Sequence, residues 1–258
     1  MLRFRNLGSG SAGNATVVEA GSGMQVRRLL VDCGLGLKTL DARLAQAGLA
    51  ASQIDAIFIT HEHGDHIGCA RQFSLRHGIP VWMSHGTWLG CREPDFDGLQ
   101  RQAQDCQPID LGELQVTPFT VPHDAREPLQ LRCSDGVRNL GILTDLGHAT
   151  PHVLANLQTC DALLLECNHD PDLLAASNYP PFLKKRVGGM HGHLSNVDAA
   201  QIALSVNHAG LAHIVAAHLS RQNNQPDLAR AALASALGRS VADIGVADQT
   251  LGCDWITL

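Results

Sequence analysis

The chain has 258 residues, of which 45% are hydrophobic, 17% charged and 4% aromatic, and its formal net charge at pH 7 is −6. This composition excludes a disordered chain, because enough apolar side chain is present to bury a sizeable core, and the acidic balance argues against a protein that coats nucleic acid non-specifically. No Pro/Ser-rich linker, low-complexity tract or short-period repeat interrupts the chain, so we expect a single domain over residues 1–258.

The sequence also predicts where the protein works. It contains no run of 18 apolar residues, and residues 1–7 carry two arginines without an apolar segment behind them. We therefore expect a cytoplasmic protein with no membrane partner. Eight cysteines are scattered without a C-x-x-C pair, which is typical of reduced thiols. Nothing in the sequence indicates an obligate protein partner.

The amino-terminal residues predict a hairpin around a glycine-rich turn. Residues Leu2 to Leu7 are typical of an edge strand, and the turn 8–14 leads to a second strand at 15–20. The turn carries Ser9, Ser11 and Asn14, whose hydroxyl and amide groups could face a phosphate. It could equally do no more than connect the two strands, since its spacing matches no P-loop.

A further predicted strand, Arg28 to Cys33, contains Asp32 near its end, and a helix is predicted over residues 38–47. A carboxylate that closes a buried strand needs a partner. Asp32 could orient a histidine of the loop at residues 61–66 without itself touching a metal, or it could cap the turn after its own strand.

The densest cluster of metal-binding residue types comes after the predicted buried strand Ile54 to Thr60. His61, His63, Asp65 and His66 stand directly behind it, in the pattern H-x-H-x-D-H. Ligands of α/β sheets collect at the carboxyl ends of strands, and such a loop can direct two pairs of side chains to neighbouring points. The pattern predicts two cations roughly 3.5–4 Å apart that share a water. The alternative is a polar surface loop that is rich in histidine by chance.

Two more candidate ligands come from the middle of the chain. A helix is predicted at 67–77 and a strand at 79–84, residues 91–106 are hard to assign, and short strands lie between 114 and 145. His123 comes after the predicted strand 116–121, and Asp145 after the strand 140–144. An aspartate there could bridge two metals with its carboxylate. Taken alone, each residue would be an ordinary turn residue.

The last third continues the same alternation. A predicted strand, 160–167, contains Glu166; helix 197–208 comes after His193; and strand 211–219 delivers His218. The basic residues Lys184, Lys185 and Arg186 either line the approach to the metals or form a solvated loop. Helix 226–237 and short strands at 244–247 and 255–258 end the chain. Strands and helices in two halves predict an α/β protein of four layers, an αββα sandwich.

The histidine pattern is the signature of the metallo-β-lactamase fold superfamily. Segments 7–14, 166–170, 192–196 and 218–224 together look like the YycJ (WalJ) group of metallohydrolases, over nearly the whole chain. That group is related to RNase Z and is associated with 5′-to-3′ exonuclease activity on DNA. Two departures are Cys69, where the superfamily usually has a second glycine after Gly68, and His191, where a small or acidic residue is expected.

The resemblance implies roles for individual residues. One metal would be held by His61, His63 and His123, the other by Asp65, His66 and His218, and Asp145 would bridge them. His193, oriented by Glu166, is similar to the RNase Z pair that protonates the leaving group, although it could instead be a helix-entry residue bonded to backbone. Besides holding metal, Asp65 is expected to act in catalysis, and Ser220 and Asn223 would contact substrate.

The expected chemistry is phosphodiester hydrolysis with two divalent ions. Such ions lower the pKa of a shared water to about 7, so that hydroxide attacks phosphorus at neutral pH. His and Asp ligands suit zinc, manganese and iron alike. Two bound cations would add about four positive charges, so the net charge does not exclude a nucleic-acid substrate. We expect this substrate to be DNA rather than RNA.

Two alternatives remain open. The first is a hydrolase of small cyclic phosphodiesters, thioesters or lactams on the same scaffold. The second is a non-catalytic metal-binding protein, although a structural zinc site is usually closed by four Cys/His ligands. A groove about one strand wide that reaches the metals would favour nucleic acid.

Overall fold

The computed structural model describes residues Met1–Leu258, which form two seven-stranded sheets. The first sheet contains β1 (Leu2–Gly8), β2 (Ala15–Ser22), β3 (Gln25–Val31), β4 (Ala56–Phe58), β5 (Val81–Met83), β6 (Gln100–Gln102) and the carboxyl-terminal β14 (Ile256–Thr257). Their order across the sheet is β14-β1-β2-β3-β4-β5-β6. From β3 to β6 the strands are parallel, and the pairs on the β14 side are antiparallel.

The second sheet is built the same way from the rest of the chain. It contains β7 (Ile109–Asp110), β8 (Gln115–Thr120), β9 (Leu129–Ser134), β10 (Asn139–Leu143), β11 (Ala162–Glu166), β12 (His213–Ala217) and β13 (Ile244–Val246). They lie in the order β13-β12-β11-β10-β9-β8-β7, parallel from β10 to β13 and antiparallel from β7 to β10.

Nine α-helices connect these strands. They are α1 (Leu37–Gln46), α2 (Gly64–Ile67), α3 (Ala70–His77), α4 (His85–Gly90), α5 (Pro151–Leu157), α6 (Pro171–Ala176), α7 (Pro181–Val187), α8 (Asn196–Ser205) and α9 (Pro226–Leu237). Short 3₁₀ turns occur at Ala51–Gln53 and Val241–Asp243. None of the helices has the length and apolarity that a membrane span requires. All eight cysteines are free thiols.

Three apolar clusters define the four layers. One lies between the sheets and contains Phe58 from β4 and Leu164 from β11. A second packs Ile57 of β4 against α1 and α3, and the third packs the other sheet against α5, α8 and α9. Because β4 is covered on both faces, its sequence is a continuous apolar run without alternation. The protein is an αββα sandwich of four layers, as predicted.

The topology brings one set of loops to a single edge of the sandwich. The carboxyl ends of β3 and β4 point the same way, as do those of β10, β11 and β12. Strand β1 runs in the same direction as β3, because two antiparallel pairings through β2 separate them, and β8 runs in the same direction as β10 through β9. The carboxyl ends of β1 and β8 therefore lie at the same edges as those of the parallel strands. The loops that carry the predicted site residues therefore start together.

Several element predictions need correction. Leu2 to Leu7 is not an edge strand, because β14 pairs with it, and no local pattern reports a partner from the other end of the chain. The helix predicted over 67–77 is divided, since Gly68, with φ 27°, ends α2 before α3 begins. Residues 184–186 lie in α7 and not in a loop. Helices α4, α5 and α6 were not predicted, because each is too short for a helical period of apolar residues to be detected in the sequence.

Candidate metal centre

Asp32 anchors the histidine loop. Its Oδ2 lies 2.7 Å from Nδ1 of His66, and its Oδ1 accepts a hydrogen bond from the backbone N–H of Thr60 at 2.9 Å. The Thr60 hydroxyl donates to the same carboxylate at 3.0 Å. Asp32 is 3% exposed. With Nδ1 of His66 committed to Asp32, only Nε2 of that ring is left to face the cluster. Asp32 thus contacts the loop and not the turn after its own strand.

The first group of ligand-type atoms comes from the histidine loop and the loop after β8. Nδ1 of His63 lies 3.0 Å from Nε2 of His61 and 3.3 Å from Nε2 of His123. Three nitrogens bound tetrahedrally to one ion, each at about 2.05 Å, are about 3.3 Å apart. The spacing of this trio therefore fits a single transition-metal ion.

Neighbouring groups orient these rings. Nδ1 of His123 donates to the backbone carbonyl of Gly192 at 3.0 Å, which leaves its Nε2 as the lone-pair nitrogen. Nδ1 of His61 lies 3.1 Å from the Thr60 hydroxyl. Gly192 has no space for a side chain, since a Cβ there would lie 2.1 Å from the carbonyl oxygen of Arg186.

The second group joins the two sheets. Oδ2 of Asp65 lies 3.7 Å from Nε2 of His66 and 3.7 Å from Nε2 of His218 at the end of β12. Oδ2 of Asp145, after β10, lies 2.8 Å from Nε2 of His66. Ligand-type atoms of His61, His66 and Asp145 also lie within 4.8 Å of one another. Asp145 is therefore positioned between the two trios, where one carboxylate can serve both.

Buried polar atoms without partners test whether the cluster fits metal. Nε2 of His218 and Oδ2 of Asp145 are buried without a hydrogen bond, although Oδ2 of Asp145 lies 2.8 Å from Nε2 of His66. An unsatisfied buried polar group costs about 1–3 kcal/mol. A divalent cation would satisfy both atoms, so the donor set fits metal.

Backbone strain is concentrated in the same place. Asp32, Asp145 and His218 have φ values of 62°, 55° and 53°, in the left-handed region that residues with a Cβ avoid. Each costs on the order of 1–3 kcal/mol, and such strain persists where surrounding contacts over-determine it. Asp32 and His218 come directly after central strands and Asp145 one residue later, where the backbone must turn sharply to aim a side chain into the cluster.

The cluster also attracts positive charge. Although burial lowers it, the carboxylates of Asp145 and Asp32 raise the pKa of His66 to about 10. The pKa of His218 is likewise raised against burial, chiefly by Asp145. Burial and then the neighbouring His66 lower the pKa of His61. Divalent cations would supply that positive charge while the histidines stay neutral, as ligation requires.

Glu166 and His193 form a pair beside the second trio. Oε1 of Glu166 accepts a hydrogen bond from Nδ1 of His193 at 2.7 Å, and its Oε2 accepts one from the backbone N–H of Leu146 at 2.8 Å. Although burial lowers it, Glu166 and Asp145 raise the pKa of His193 to about 9. The His193 side chain is 25% exposed, whereas Glu166 is fully buried. The ring is therefore fixed at Nδ1 and can exchange a proton at Nε2.

An open cavity of about 380 Å³ gives access to both groups. Its lining includes Asp65, His193 and His218 from the cluster, together with Ser11, Tyr179 and Arg186. A larger cavity, of about 580 Å³, is a different one, lined by residues between Leu219 and Thr250.

The residues proposed to contact substrate divide into two sets. Ser9 and Asn14 are buried and make internal hydrogen bonds: Ser9 Oγ accepts from the N–H of His218 at 2.8 Å, and Asn14 accepts from Gly10 N at 2.8 Å. Asn223 is 1% exposed. These three residues are not at the surface of the cavity. Ser11 lines the metal cavity, and Ser220 lines the cavities beyond it.

One of the three basic residues of α7, Arg186, is paired with a carboxylate. Nε of Arg186 donates to Asp124 at 2.6 Å, and Nζ of Lys184 donates to the carbonyl of Ala175 at 2.5 Å. Arg186 lines the cavity with its charge already paired, and Lys185 is exposed. The triplet is therefore a weaker cationic surface than its sequence indicates.

The two departures from the expected pattern leave the cluster unaffected. Cys69 has φ −92°, so no glycine is needed there, and its backbone N–H donates to the carbonyl of Cys33 at 2.9 Å. His191 is exposed and lies near His148, with ring centroids 6.4 Å apart, and it belongs to none of the metal-binding groups.

Three residues that shape the site carry little signal in the sequence. Thr60 is in sequence only the end of a strand, yet it contacts Asp32, His61 and His66. Asp124 pairs with a cavity arginine, and its position directly after His123 is the one signal that could have identified it. Tyr179 lies between two short helices, and no spacing could have identified it.

Comparison with known proteins shows the family to which the chain is similar. Residues 27–218 match the beta-lactamase superfamily domain. The chain is 32% identical to Exodeoxyribonuclease YycJ of Bacillus anthracis over 95% of this chain and 93% of that protein. It is 30% identical to Exodeoxyribonuclease WalJ of Streptococcus pneumoniae over 95% and 91%. The crystal structure of the metallo-beta-lactamase fold protein YhfI from Bacillus subtilis aligns with a TM-score of 0.75 at 20% identity, covering 99% of this chain and 98% of that one.

Proposed function

We propose, from the premise that this chain belongs to the β-lactamase superfamily and within it to the YycJ/WalJ group, that it is a metal-dependent exodeoxyribonuclease. Its substrate would be DNA, and it would remove nucleotides from the 5′ end. Two divalent ions, zinc or manganese, would be held by the two trios with Asp145 between them.

The pair formed by Glu166 and His193 carries this proposal. A departing alkoxide of a nucleotide is a poor leaving group and needs a proton, whereas β-lactam or thioester cleavage does not require a separate acid so close to the metals. His193 lies in the metal cavity and is held at 2.7 Å by a buried carboxylate. The exodeoxyribonuclease activity for which two relatives of matching length are named supports the same reaction class.

Different residues of the chain would assist the attack of water and the departure of the leaving group. Bound cations would supply Lewis acidity and an activated water. Asp65, whose side chain is 24% exposed at the cavity, would accept a hydrogen bond from the attacking water. His193 would then donate the proton at Nε2 to the leaving oxygen, and Glu166 would stabilise the protonated ring and hold its orientation.

A metal-supplemented digestion tests this function. We expect 5′-labelled single-stranded or double-stranded DNA to release labelled mononucleotide from the first turnover, because removal begins at the labelled end. RNA of the same sequence and bis(p-nitrophenyl) phosphate serve as competing substrates. His61→Ala, which removes a ligand of the first trio, is the matched inactive control.

Two results would contradict the proposal. A ladder of progressively shortened labelled fragments would show the opposite polarity. Cleavage of RNA, of small cyclic phosphodiesters or of thioesters in preference to DNA would assign the same centre to another substrate.

A further inference from the structure

Three cavities lie in a row that begins at the metal centre. The metal cavity of about 380 Å³ shares Ser11 and Tyr179 with a second cavity of about 250 Å³. That second cavity shares Ser220, Arg221 and Gln249 with the third, of about 580 Å³. The shared walls make the row one groove that leads away from the metals along the loop after β12.

An aromatic side chain stands at the first junction. Tyr179 is the only tyrosine of the chain and is half-buried, with contacts to both the metal cavity and the second cavity. Aromatic faces that line a groove for single-stranded nucleic acid stack on bases without sequence preference.

An unpaired cation stands at the second junction. Nε of Arg221 donates to Gln249 Oε1, and the guanidinium contacts no carboxylate. Gln249 is itself fixed, because its amide donates to the carbonyl of Leu219. By contrast, Arg186 in the metal cavity is paired with Asp124 at 2.6 Å. Among the arginines that line this groove and have no carboxylate partner, Arg221 is therefore the one nearest the metals.

The third cavity has a mixed but mainly basic lining. Arg230 contributes a second guanidinium, which contacts Asp227 at 3.2 Å, but that carboxylate is 90% exposed and neutralises little. Asp248 is the acidic group of the cavity, and its Oδ1 already accepts hydrogen bonds from the N–H groups of Thr250 and Leu251. Such a lining suits a polyanion better than a small neutral ligand.

We infer that this row of cavities is the track for the polynucleotide strand that continues beyond the bond being cut. Tyr179 stacks on a base next to the metal cavity, and Arg221 contacts a phosphate between the second and third cavities. The inference rests on the proposed nuclease function and deepens it, because it identifies the ligand of the groove as a single strand several nucleotides long. A substrate confined to the metal cavity would leave Arg221 unused.

Binding of oligonucleotides of increasing length tests the track. The probes are fluorescein-labelled phosphorothioate dT oligomers of two, four, eight and twelve nucleotides, which resist cleavage, bound to the metal-loaded protein. We expect affinity to rise with length in the wild type. Tyr179→Ala should weaken binding of the twelve-mer about 5- to 150-fold, the range of one base stack, and Tyr179→Phe should restore it.

Arg221→Gln should weaken the long oligomers much more than the dinucleotide and should flatten the salt dependence of log Kd by about 0.7, the contribution of one phosphate contact. The matched control is Arg76→Ala, an exposed arginine of α3 paired with Asp41, which should bind like the wild type.

Failure of the track and failure of the function give different results. If the wild type cleaves DNA but Arg221→Gln and Tyr179→Ala bind every oligomer as Arg76→Ala does, the track is wrong and the function stands. If the wild type binds with a length dependence that Arg221→Gln abolishes but cleaves no DNA, the track stands and the nuclease function is wrong.

Discussion

Replacing His193 with alanine separates proton donation from metal binding. His193 belongs to neither trio, and in the further group of ligand-type side chains that it forms with Asp145, Glu166 and His218 its Nδ1 is held by Glu166 at 2.7 Å. Glu166 would keep its hydrogen bond from Leu146 N at 2.8 Å after the ring is removed. The variant should therefore retain its metal. A general acid contributes about 10²- to 10⁴-fold, which corresponds to about 2.7–5.4 kcal/mol of transition-state stabilisation. We expect a loss of DNA cleavage in that range.

The assay compares two leaving groups on the same protein preparation. A p-nitrophenolate departs without a proton, so His193→Ala should be impaired far less on bis(p-nitrophenyl) phosphate than on DNA, with metal content measured by mass spectrometry alongside. Equal losses on both substrates, or loss of metal, would refute the role of His193. Another acid would then be needed, and of the two nearby histidines His191 is exposed whereas His169 is 4% exposed.

Three further predictions concern the metal centre and its support. The purified, metal-loaded protein should contain two transition-metal ions per chain by mass spectrometry, and saturation at one ion would contradict the shared role of Asp145. Asp32→Asn should weaken metal affinity about 10- to 100-fold in a chelator competition, because the carboxylate at 2.7 Å from Nδ1 of His66 orients that ring; unchanged affinity would make Asp32 a simple strand terminator. Gly34→Ala should lower the free energy of unfolding by about 1–3 kcal/mol or more in urea titration, since its Cβ would lie 1.7 Å from the carbonyl oxygen of Asp65; an unaltered midpoint would mean that the histidine loop moves freely.

The local sequence pattern was sufficient to predict an element whose own residues show its apolar periodicity or its capping residues. The apolar run before His61 predicted a buried strand, and α9 has the bounds that its proline start and amphipathic pattern predicted. Pattern failed where the partner is remote in sequence. The pairing of β14 with β1, the contact of Ser9 with His218 and the placement of Tyr179 each depend on residues far along the chain.

Charge is the property that the sequence indicates least well. The basic residues 184–186 look like a cationic patch, but the charge of Arg186, the one of the three that lines the metal cavity, is paired with Asp124. Arg221, to which its sequence context gives no role, faces the groove without a carboxylate partner. The availability of a charge depends on its neighbours in space, and sequence does not report these.

The sequence by itself determined the fold class and the chemical types of the site, because apolar strands that end in His or Asp indicate both a buried sheet and ligand-type side chains at its edge. Only the tertiary structure decided the arrangement. Strands from two sheets bring the loops after β4, β8, β10 and β12 to one edge. There Nδ1 of His63 lies 3.0 Å from Nε2 of His61 and 3.3 Å from Nε2 of His123. It also decided the groove, since Tyr179 and Arg221, which are far apart in sequence, line one cavity together with Ser11 from the amino-terminal turn.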